Sequence, residues 1–435
     1  MKIALCKSHF FGPVSGADEI LLTYAIALHR AGYDVEVVLL YKPTATDPFF
    51  QRLRNAEVKV VHVIPRSIAF TILRGIRNVL SSFLLLFLLI PRSEFRLRKI
   101  WQLLIDLIYR LHYGRCRDYF AQSSYDVLHV FTPDTGAALM IRAGREVGIP
   151  VLYHEMGTPH YLSALEAHYR RLERVLPLCS EVAALSPLLA TQWAEHFPFL
   201  SSVSVLPLIS DDSNTFVLPT VLPLKSRSET IFGFAARIEH GKGPFVLLAA
   251  LTNLRARDVN VHVRVAGIGP AAQEVKARAR QAGLDHLWEF VGAYSGSVGC
   301  SAFMRSLDVF VLPSFAEGTS KSIIEAMAHG LPIITTAVGG SPDLVTPDAG
   351  ILVAPGDAAA LADAMERLAS DPALRKRMGK AARQRYLALF APDAVIPMLV
   401  DTYTRLAGQG DEVTNGHHPW AVRGEPGRIA KAVHV

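Results

Sequence analysis

Two glutamates, Glu317 and Glu325, are eight positions apart around the predicted start of a helix. Eight helical residues make a little over two turns, so both carboxylates project from roughly the same side, about 12 Å apart along the axis. The helix begins near Ser320 and Lys321, and its free N–H groups and partial positive charge suit a phosphate. The spacing therefore predicts that a phosphate can lie between two carboxylates.

Solvent exposure is the ordinary alternative for these glutamates, because glutamate is seldom buried in proteins. The neighbours of Glu325 in the predicted helix are nearly all apolar: Ile323, Ile324, Ala326 and Met327. A carboxylate in such surroundings indicates the mouth of a binding site more than an open protein surface.

Two cations form a second candidate group, in a glycine-containing segment that follows a predicted strand. Arg237 and Lys242 are five positions apart, and Gly241 and Gly243 flank the lysine. The planar guanidinium and the compact ammonium can both reach one diphosphate. Two solvated surface cations are the alternative. After the next predicted strand, Gly267 marks a loop in which the backbone can approach a ligand closely.

The elements that position these residues are strands alternating with helices. Residues 309–336 predict a buried strand, a helix and a second buried strand. Gly318 gives the loop before this helix its freedom, Thr319 or Ser320 caps the helix, and Ser341 caps the next one. Ligands bind such units where the strands end and the helices begin. Further C-terminal helices are predicted at residues 244–254, 361–368, 374–390 and 393–406.

The N-terminal half shows the same alternation. Its first predicted helix is 18–31, and its loop lacks the GxGxxG pattern, so a nicotinamide-binding interpretation is weak. The predicted strands of this half are residues 2–6, 35–40, 58–63, 125–131, 149–154, 182–186 and 203–208. Those of the C-terminal half are residues 230–235, 261–266, 309–312 and 333–336.

The composition favours a folded protein, because 435 residues with 50% hydrophobic content provide two or three sizeable cores. The net charge of +6 suits phosphate-bearing ligands or anionic lipid and does not by itself indicate nucleic-acid binding. The first residues have too short an apolar run for a signal peptide. The cysteines lie far apart without a CxxC pair, which predicts reduced thiols in a cytoplasmic chain. They are Cys6, Cys116, Cys179 and Cys300.

Residues 66–117 differ in character from the rest of the chain. Residues 79–90 are apolar except for two serines, and as a helix they span about 18 Å, short of a bilayer core of about 30 Å. Basic flanks beside an apolar face predict an element that lies on an anionic membrane surface. A buried core helix is the alternative, and a transmembrane span is the least favoured. The flanking arginines are Arg66, Arg74, Arg77, Arg92, Arg96 and Arg98.

The segment around the two glutamates reads PSFAEGTSKSIIEAMAHGLPIITTAVGGSPDLV. It resembles the signature of retaining glycosyltransferases of family 4, closely over most of residues 230–405 and loosely in the N-terminal half. The resemblance implies the glycosyltransferase B (GT-B) fold, an α/β architecture of two Rossmann-like domains that face a cleft. We place an acceptor-binding domain at 1–212, a nucleotide-sugar-binding domain at 213–390, a helix crossing back to the N-terminal domain at 391–407 and a disordered tail at 408–435.

The resemblance also implies how the donor is held. Arg237 and Lys242 match the family's donor loop and bind the diphosphate, together with the helix start formed by Gly318, Thr319, Ser320 and Lys321. Gly267 lies beside the nucleotide. No Asp-x-Asp pair is available to hold a metal, so the cations take that role and we expect neither a metal nor a cofactor.

Three further roles follow from the resemblance near the reacting carbon. Glu317 holds sugar hydroxyls, Glu325 holds the ribose hydroxyls, and His154 lies beside the transferred sugar. Gly16 lies at the site, within a Ser-Gly-Ala-Asp segment that replaces the family's Gly-Gly-x-Glu. The residues that the resemblance implies to be catalytic are Glu317, His154, Arg237 and Lys242.

The implied reaction transfers a hexose from a UDP- or GDP-linked sugar to an acceptor hydroxyl, with retention at the anomeric carbon. The predicted acceptor is a lipid-linked or cell-surface polysaccharide precursor, and the predicted location is the inner face of the cytoplasmic membrane. A catalytically silent nucleotide-sugar-binding protein and a sugar-nucleotide epimerase of related fold are the alternatives. The intact cations and glutamates argue against the silent protein.

Overall fold

The structure, a computed structural model, describes residues 1–10, 16–64, 112–131, 135–159, 172–200, 202–210, 229–294 and 296–408. Its strands form two parallel sheets, one in each half of the chain. Most of residues 66–117, the segment predicted to lie on a membrane, are outside the described residues, and only 112–117 of it are seen, as part of a helix over 112–121. The predicted tail beyond residue 408 and the region 211–228 are also outside them.

The N-terminal sheet has seven strands in the order β3-β2-β1-β4-β5-β6-β7. Neighbouring strands are parallel, so each connection crosses the sheet, as in a Rossmann-like domain. The strands are β1 (Lys2–Lys7), β2 (Asp34–Tyr41), β3 (Lys59–Ile64), β4 (Val127–Phe131), β5 (Val151–Glu155), β6 (Glu181–Ala184) and β7 (Ser204–Val205). The helices are α1 (Gly16–Arg30), α2 (Pro48–Asn55), α3 (Thr135–Glu146) and α4 (Pro187–His196).

The C-terminal sheet has six parallel strands in the order β10-β9-β8-β11-β12-β13. They are β8 (Thr230–Ala235), β9 (Val261–Ala266), β10 (Trp288–Gly292), β11 (Val309–Leu312), β12 (Ile333–Thr336) and β13 (Gly350–Val353). Their helices are α5 (Pro244–Ala256), α6 (Ala272–Gln281), α7 (Gly296–Met304), α8 (Lys321–Ala328), α9 (Ser341–Leu344), α10 (Ala358–Ser370), α11 (Pro372–Leu389) and α12 (Pro392–Leu406). The predicted class, two Rossmann-like α/β domains, is confirmed.

Burial explains why the strands read as continuous apolar runs. Every residue of β4, β5, β8, β11 and β12 is buried. Helices cover both faces of a parallel sheet, so the strands need apolar side chains on both sides. The last N-terminal strand is shorter than the predicted 203–208, because Pro207 has no N–H for the ladder and β7 ends at Val205.

The last two described helices contact the N-terminal domain. The Tyr386 hydroxyl, near the end of α11, donates to the Ser210 carbonyl oxygen at 2.8 Å. On α12, the Tyr403 hydroxyl lies 2.7 Å from Nδ1 of His129, and Arg405 donates to Glu181 at 2.6 Å. These contacts hold α12 against the N-terminal sheet. Within the described residues, no helix combines the length and the apolar character that a membrane crossing needs.

Candidate active site

The site lies where the strand order of the C-terminal sheet reverses, between β8 and β11. Ligands of open α/β sheets bind outside the carboxyl ends of strands at such a switch point. The loop after β8 meets the loop after β11, and the Phe315 N–H donates to the Gly241 carbonyl oxygen at 2.9 Å. Gly243 has a φ of 72°, and a Cβ there would lie 1.9 Å from the carbonyl oxygen of Pro313. Only glycine permits this approach.

Lys242 and Glu317 form an ion pair between these two loops. The ammonium lies 2.9 Å from Oε1 of Glu317, and the Ser314 hydroxyl donates to the same oxygen at 2.6 Å. The Glu317 side chain is 8% exposed and the Lys242 side chain 25%. Charge-assisted hydrogen bonds of this kind fix both partners, so the loops present a cation and a carboxylate together.

Arg237, which is predicted to bind the diphosphate together with Lys242, takes no part in this ion pair. Its Nε lies 3.3 Å from Oε2 of Glu239, and its side chain is 62% exposed. The guanidinium therefore faces solvent beside the loop. Such an exposed side chain can turn towards an incoming anion at little cost, since surface ion pairs are weak.

Glu325 lies inside the first turns of α8 and is almost enclosed. Its Oε1 accepts from the Lys321 ammonium at 2.6 Å, and its Oε2 accepts from the Tyr294 hydroxyl at 3.1 Å. Burial and the neighbouring carboxylate raise the pKa of Tyr294 well above its ordinary value, so this hydroxyl keeps its proton and acts as a donor. The structure thus brings Glu325 and Lys321 together as one pair.

Lys321 also faces the N-terminal domain. Its ammonium lies 3.9 Å from Oε2 of Glu19, which is in the first turn of α1. Burial pulls the pKa of Lys321 down, but the carboxylates of Glu325 and Glu19 raise it above its ordinary value. The ammonium is therefore charged and shared between the domains. Nothing in the spacing of the sequence pointed to Glu19.

The two domains approach each other at glycines. A Cβ on Gly318 would lie 2.3 Å from the Met156 carbonyl oxygen, at the end of β5. A Cβ on Gly340 would lie 3.0 Å from the Ser186 hydroxyl of the N-terminal domain. Nearby, the Leu188 N–H of α4 donates to Oδ2 of Asp343 at 2.7 Å. The cleft walls are thus in backbone contact beside α8.

Two hydroxyls near this contact have no hydrogen-bond partner in the described part of the chain. They are Thr319 Oγ1 and Ser341 Oγ, and both atoms are buried. Ser320 is at the N-cap position of α8 as predicted, but its hydroxyl lies beside that of Ser322 and caps no N–H. The prediction that Ser341 caps α9 is wrong, because Gly340 is the N-cap and its carbonyl accepts the first helical bonds.

Gly267 and Gly16 differ in how they are surrounded. Gly267 has a φ of 139°, and a Cβ there would lie 2.0 Å from the Ala236 carbonyl oxygen, so the predicted close approach is to the chain itself. Gly16 begins α1, and a Cβ there would meet only open space. Two residues later, Asp18 is fully buried in an ion pair with Lys7 of β1. This carboxylate anchors α1 to the sheet, and sequence reasoning missed Lys7.

His154 is a core residue in this structure, whereas the resemblance implies a position beside the transferred sugar. It has no exposed surface, and its ring is stacked on His129 with centroids 5.2 Å apart. His154 Nδ1 lies 3.2 Å from Nε2 of His129, which in turn contacts Tyr403. Burial lowers the pKa of His154 to about 3, so the imidazole is neutral. Tyr24 and Phe131 also pack against the His154 ring, and Tyr403 of α12 contacts His129.

The residue after His154 shapes the turn that contacts Gly318. Oε1 of Glu155 accepts from the N–H groups of Met156 at 2.8 Å and of Gly157 at 2.9 Å. Its other oxygen accepts from the Tyr153 hydroxyl at 2.5 Å. Burial raises the pKa of Glu155 to about 7, against these hydrogen bonds, which favour the ionised form.

Comparisons with known proteins agree with this geometry. Residues 223–385 match the family model of glycosyl transferases group 1. The D-inositol 3-phosphate glycosyltransferase of Arthrobacter sp. (strain FB24) is 27% identical over 398 residues, which are 85% of this chain and 86% of that protein. The 2-deoxystreptamine glucosyltransferase of Streptomyces kanamyceticus is 31% identical over 182 residues, 41% of this chain and 46% of that protein.

Solved structures share the fold over nearly the whole chain. Anabaena Alr3699/HepE in complex with UDP has a TM-score of 0.68 at 18% identity, and covers 93% of this chain and 100% of its own. Sucrose-phosphate synthase from Thermosynechococcus elongatus has a TM-score of 0.67 at 20% identity, and covers 94% of this chain and 100% of its own. The architecture is therefore that of GT-B glycosyltransferases.

Proposed function

We propose that this chain, with its GT-B fold and its match to glycosyl transferases group 1, is a retaining glycosyltransferase that moves a hexose from a nucleotide sugar to an acceptor hydroxyl. One observation carries the proposal: the ion pair of Lys242 and Glu317 at the switch point of the C-terminal sheet. It places a cation for a phosphate next to a carboxylate for sugar hydroxyls. The UDP in related folds supports a nucleotide as the leaving group.

In this proposal the C-terminal domain neutralises the leaving group. Lys242, the exposed Arg237 and the start of α8 at Ser320 meet the negative charge that develops on the diphosphate. Preorganised cations and N–H groups of this kind stabilise the transition state more than the ground state. Thr319, whose buried hydroxyl has no hydrogen-bond partner among the described residues, lies in the same loop. The Lys321 ammonium, which lies between Glu325 and Glu19, adds further positive charge at the start of α8.

The two glutamates divide the work of holding the donor. Glu317 binds sugar hydroxyls near the reacting carbon, and Glu325 binds the ribose hydroxyls. The bond from the anomeric carbon to the phosphate oxygen breaks as the acceptor oxygen bonds to the same face of that carbon. The leaving phosphate takes the acceptor proton, so atoms and charges balance and the configuration is retained. Glu155 supports the cleft wall by accepting from the N–H groups of Met156 and Gly157, and His154 lies buried beside it in β5.

We further propose that the reaction needs no metal ion. The support is positive charge supplied by side chains, at Lys242 and Arg237, where a metal would otherwise neutralise the diphosphate. The test is turnover after dialysis against EDTA. Unchanged activity is the expected result, and complete loss that Mn²⁺ or Mg²⁺ restores would overturn this part of the proposal.

We propose a lipid-linked acceptor at an anionic membrane surface, on the evidence of residues 66–117. Their apolar run is too short to span a bilayer, and each arginine near an anionic surface adds about 1 kcal/mol of attraction. Flotation with liposomes that contain anionic lipid tests this, with wild type and a variant that has Arg92, Arg96 and Arg98 changed to Glu. No flotation of the wild type contradicts membrane docking and leaves a soluble acceptor, and equal flotation of both proteins contradicts docking through these arginines.

The activity itself is tested by release of nucleoside diphosphate from UDP- and GDP-hexoses, with and without an acceptor extract. We expect release that depends on both the donor and the extract. A silent binding protein releases nothing under either condition. An epimerase converts the nucleotide sugar without an acceptor and releases no diphosphate. Either of those outcomes overturns the proposed transferase.

A further inference from the structure

A row of alternating charges crosses the cleft from one domain to the other. In the N-terminal domain, Arg52 Nη2 lies 3.1 Å from Oε2 of Glu19. The same glutamate oxygen lies 3.9 Å from the Lys321 ammonium of the C-terminal domain. Lys321 contacts Glu325 at 2.6 Å, and Glu325 accepts from Tyr294 at 3.1 Å. The contacts form one continuous chain of opposite charges between α2 and α8.

The members of this row are partly shielded from water. The exposed fractions of the side chains are 22% for Glu19, 27% for Lys321 and 10% for Glu325. Charges in such positions are screened by salt much less than exposed ones, so the interaction between the domains is stronger than that of a surface pair. Arg52 contacts Glu19 with both of its terminal nitrogens.

A helix-stabilising role is the simpler explanation for Glu19, since an acid in the first turn of a helix is favourable. That role needs no partner on the other domain. Arg52 binds both oxygens of Glu19, and Oε2 also lies 3.9 Å from the ammonium of Lys321, the side chain that binds the carboxylate proposed for the ribose. Stabilisation of α1 does not explain why Glu19 contacts Lys321 across the cleft.

We propose that Glu19 is a positioning residue for the nucleotide sugar, which holds Lys321 from the opposite domain and couples closure of the cleft to occupation of Glu325. This inference rests on the proposed function. When ribose hydroxyls donate to Glu325, its carboxylate binds the Lys321 ammonium less strongly. Glu19 then keeps this ammonium at the start of α8. Closure and nucleotide binding then favour each other by the same factor, as linkage requires.

Calorimetric titration with UDP and with GDP tests the coupling. Glu19→Gln is expected to weaken binding of the preferred nucleotide about 3- to 10-fold and to raise the donor KM similarly, with a smaller change in kcat. Lys321→Met removes the shared partner. In that background, adding Glu19→Gln should weaken binding no further, because the two effects act through one contact. Additive losses in the double variant would overturn the proposal.

Arg52→Met is the matched control, since it removes the partner of Glu19 within the N-terminal domain and leaves the contact with Lys321. It should lower the melting temperature at least as much as Glu19→Gln while nucleotide binding stays within about 2-fold of wild type. A loss of binding as large as that of Glu19→Gln would show that only the stability of α1 matters, and would overturn the coupling.

Glu325→Gln separates this inference from the proposed function. If wild type binds neither nucleotide, or if Glu325→Gln leaves the affinity unchanged, the proposed donor site itself is wrong. If Glu325→Gln weakens binding and Glu19→Gln does not, the donor site stands and the coupling through Glu19 is wrong.

Discussion

Gly318 of the C-terminal domain rests against Met156 of the N-terminal domain, and a Cβ on this glycine would lie 2.3 Å from the Met156 carbonyl oxygen. It would also lie 3.3 Å from Cα of Gly157. Both obstacles are backbone atoms, which cannot turn aside as a flexible side chain does. The closed arrangement of the two domains therefore depends on a missing side chain in the loop that carries Glu317.

Gly318→Ala is expected to hold the domains apart by about the size of a methyl group or more. We expect a larger radius of gyration in small-angle X-ray scattering with nucleotide bound, and a kcat at least 10-fold lower, because misplacement by about 1 Å is costly in catalysis. Gly241→Ala is the matched control for scattering, since a Cβ there meets nothing within 4 Å. Identical scattering of Gly318→Ala and wild type would contradict the closed contact.

Lys242→Met is expected to slow sugar transfer about 10²- to 10³-fold, the loss typical of removing one preorganised group that stabilises transition-state charge. Arg237→Ala should have an effect of the same order, despite its exposure, if it turns towards the diphosphate. Initial rates at saturating donor measure both. Lys380→Met is the matched control, because Lys380 is an exposed cation on α11. Wild-type turnover of Lys242→Met would show that the phosphate site lies elsewhere.

Glu325→Ala and Glu317→Ala are expected to differ in kind. Contacts with the ribose are about equal in the ground and transition states, so Glu325→Ala should chiefly raise the donor KM. Contacts near the anomeric carbon tighten as it becomes cationic, so Glu317→Ala should chiefly lower kcat. Full kinetics over a range of donor concentrations decide this. Equal defects in KM and kcat for both variants would mean that the two roles are divided wrongly.

Much of the fold follows from local sequence pattern. The bounds of β8, β9, β11 and β12 agree with the predicted strands, because each is a short run rich in apolar or β-branched residues. Several helices and β13 were not predicted. One example is α2, which is only eight residues long and buries just Phe49 and Leu53, so its periodicity is too brief to recognise.

The site was less accessible to sequence reasoning wherever it depends on distant partners. The pair of Lys242 and Glu317 joins two loops that each carry a local signal. Glu19 carries none, since its partner Lys321 belongs to the other domain. His154 is buried against Tyr24, His129 and Phe131, and no pattern near the histidine reveals these contacts. The ends of strands can be predicted from neighbouring residues, but the burial of a side chain by distant residues cannot.

The stability of the protein should fall as the pH rises past the pKa of Glu155. Burial raises the pKa of this carboxyl from 4.5 to about 7, so the folded state binds its proton more tightly than the unfolded state does. The resulting stabilisation is complete below pH 4.5 and is lost as the pH rises through 7. Between pH 5 and pH 8 it amounts to about 2 kcal/mol, or roughly 4–8 °C in the melting temperature of the N-terminal domain, which carries Glu155.

Glu155→Gln tests this prediction, because the amide cannot ionise. Scanning calorimetry at pH 5 and pH 8 should show a smaller drop in melting temperature for the variant than for wild type. The comparison removes the opposite effect of the buried histidines, which both proteins share. A drop of the same size in both proteins would mean that Glu155 does not titrate in this range.

Native mass spectrometry with a panel of UDP- and GDP-hexoses at equal concentration tests the central claim most directly, that the C-terminal site holds a nucleotide sugar between Lys242, Glu317 and Glu325. We predict one preferred nucleotide sugar bound one-to-one to wild type, and an occupancy at least 5-fold lower for Glu325→Gln, the loss expected from removing a hydrogen bond to a charged group. No bound nucleotide sugar on wild type, or the same occupancy on both proteins, would contradict the account.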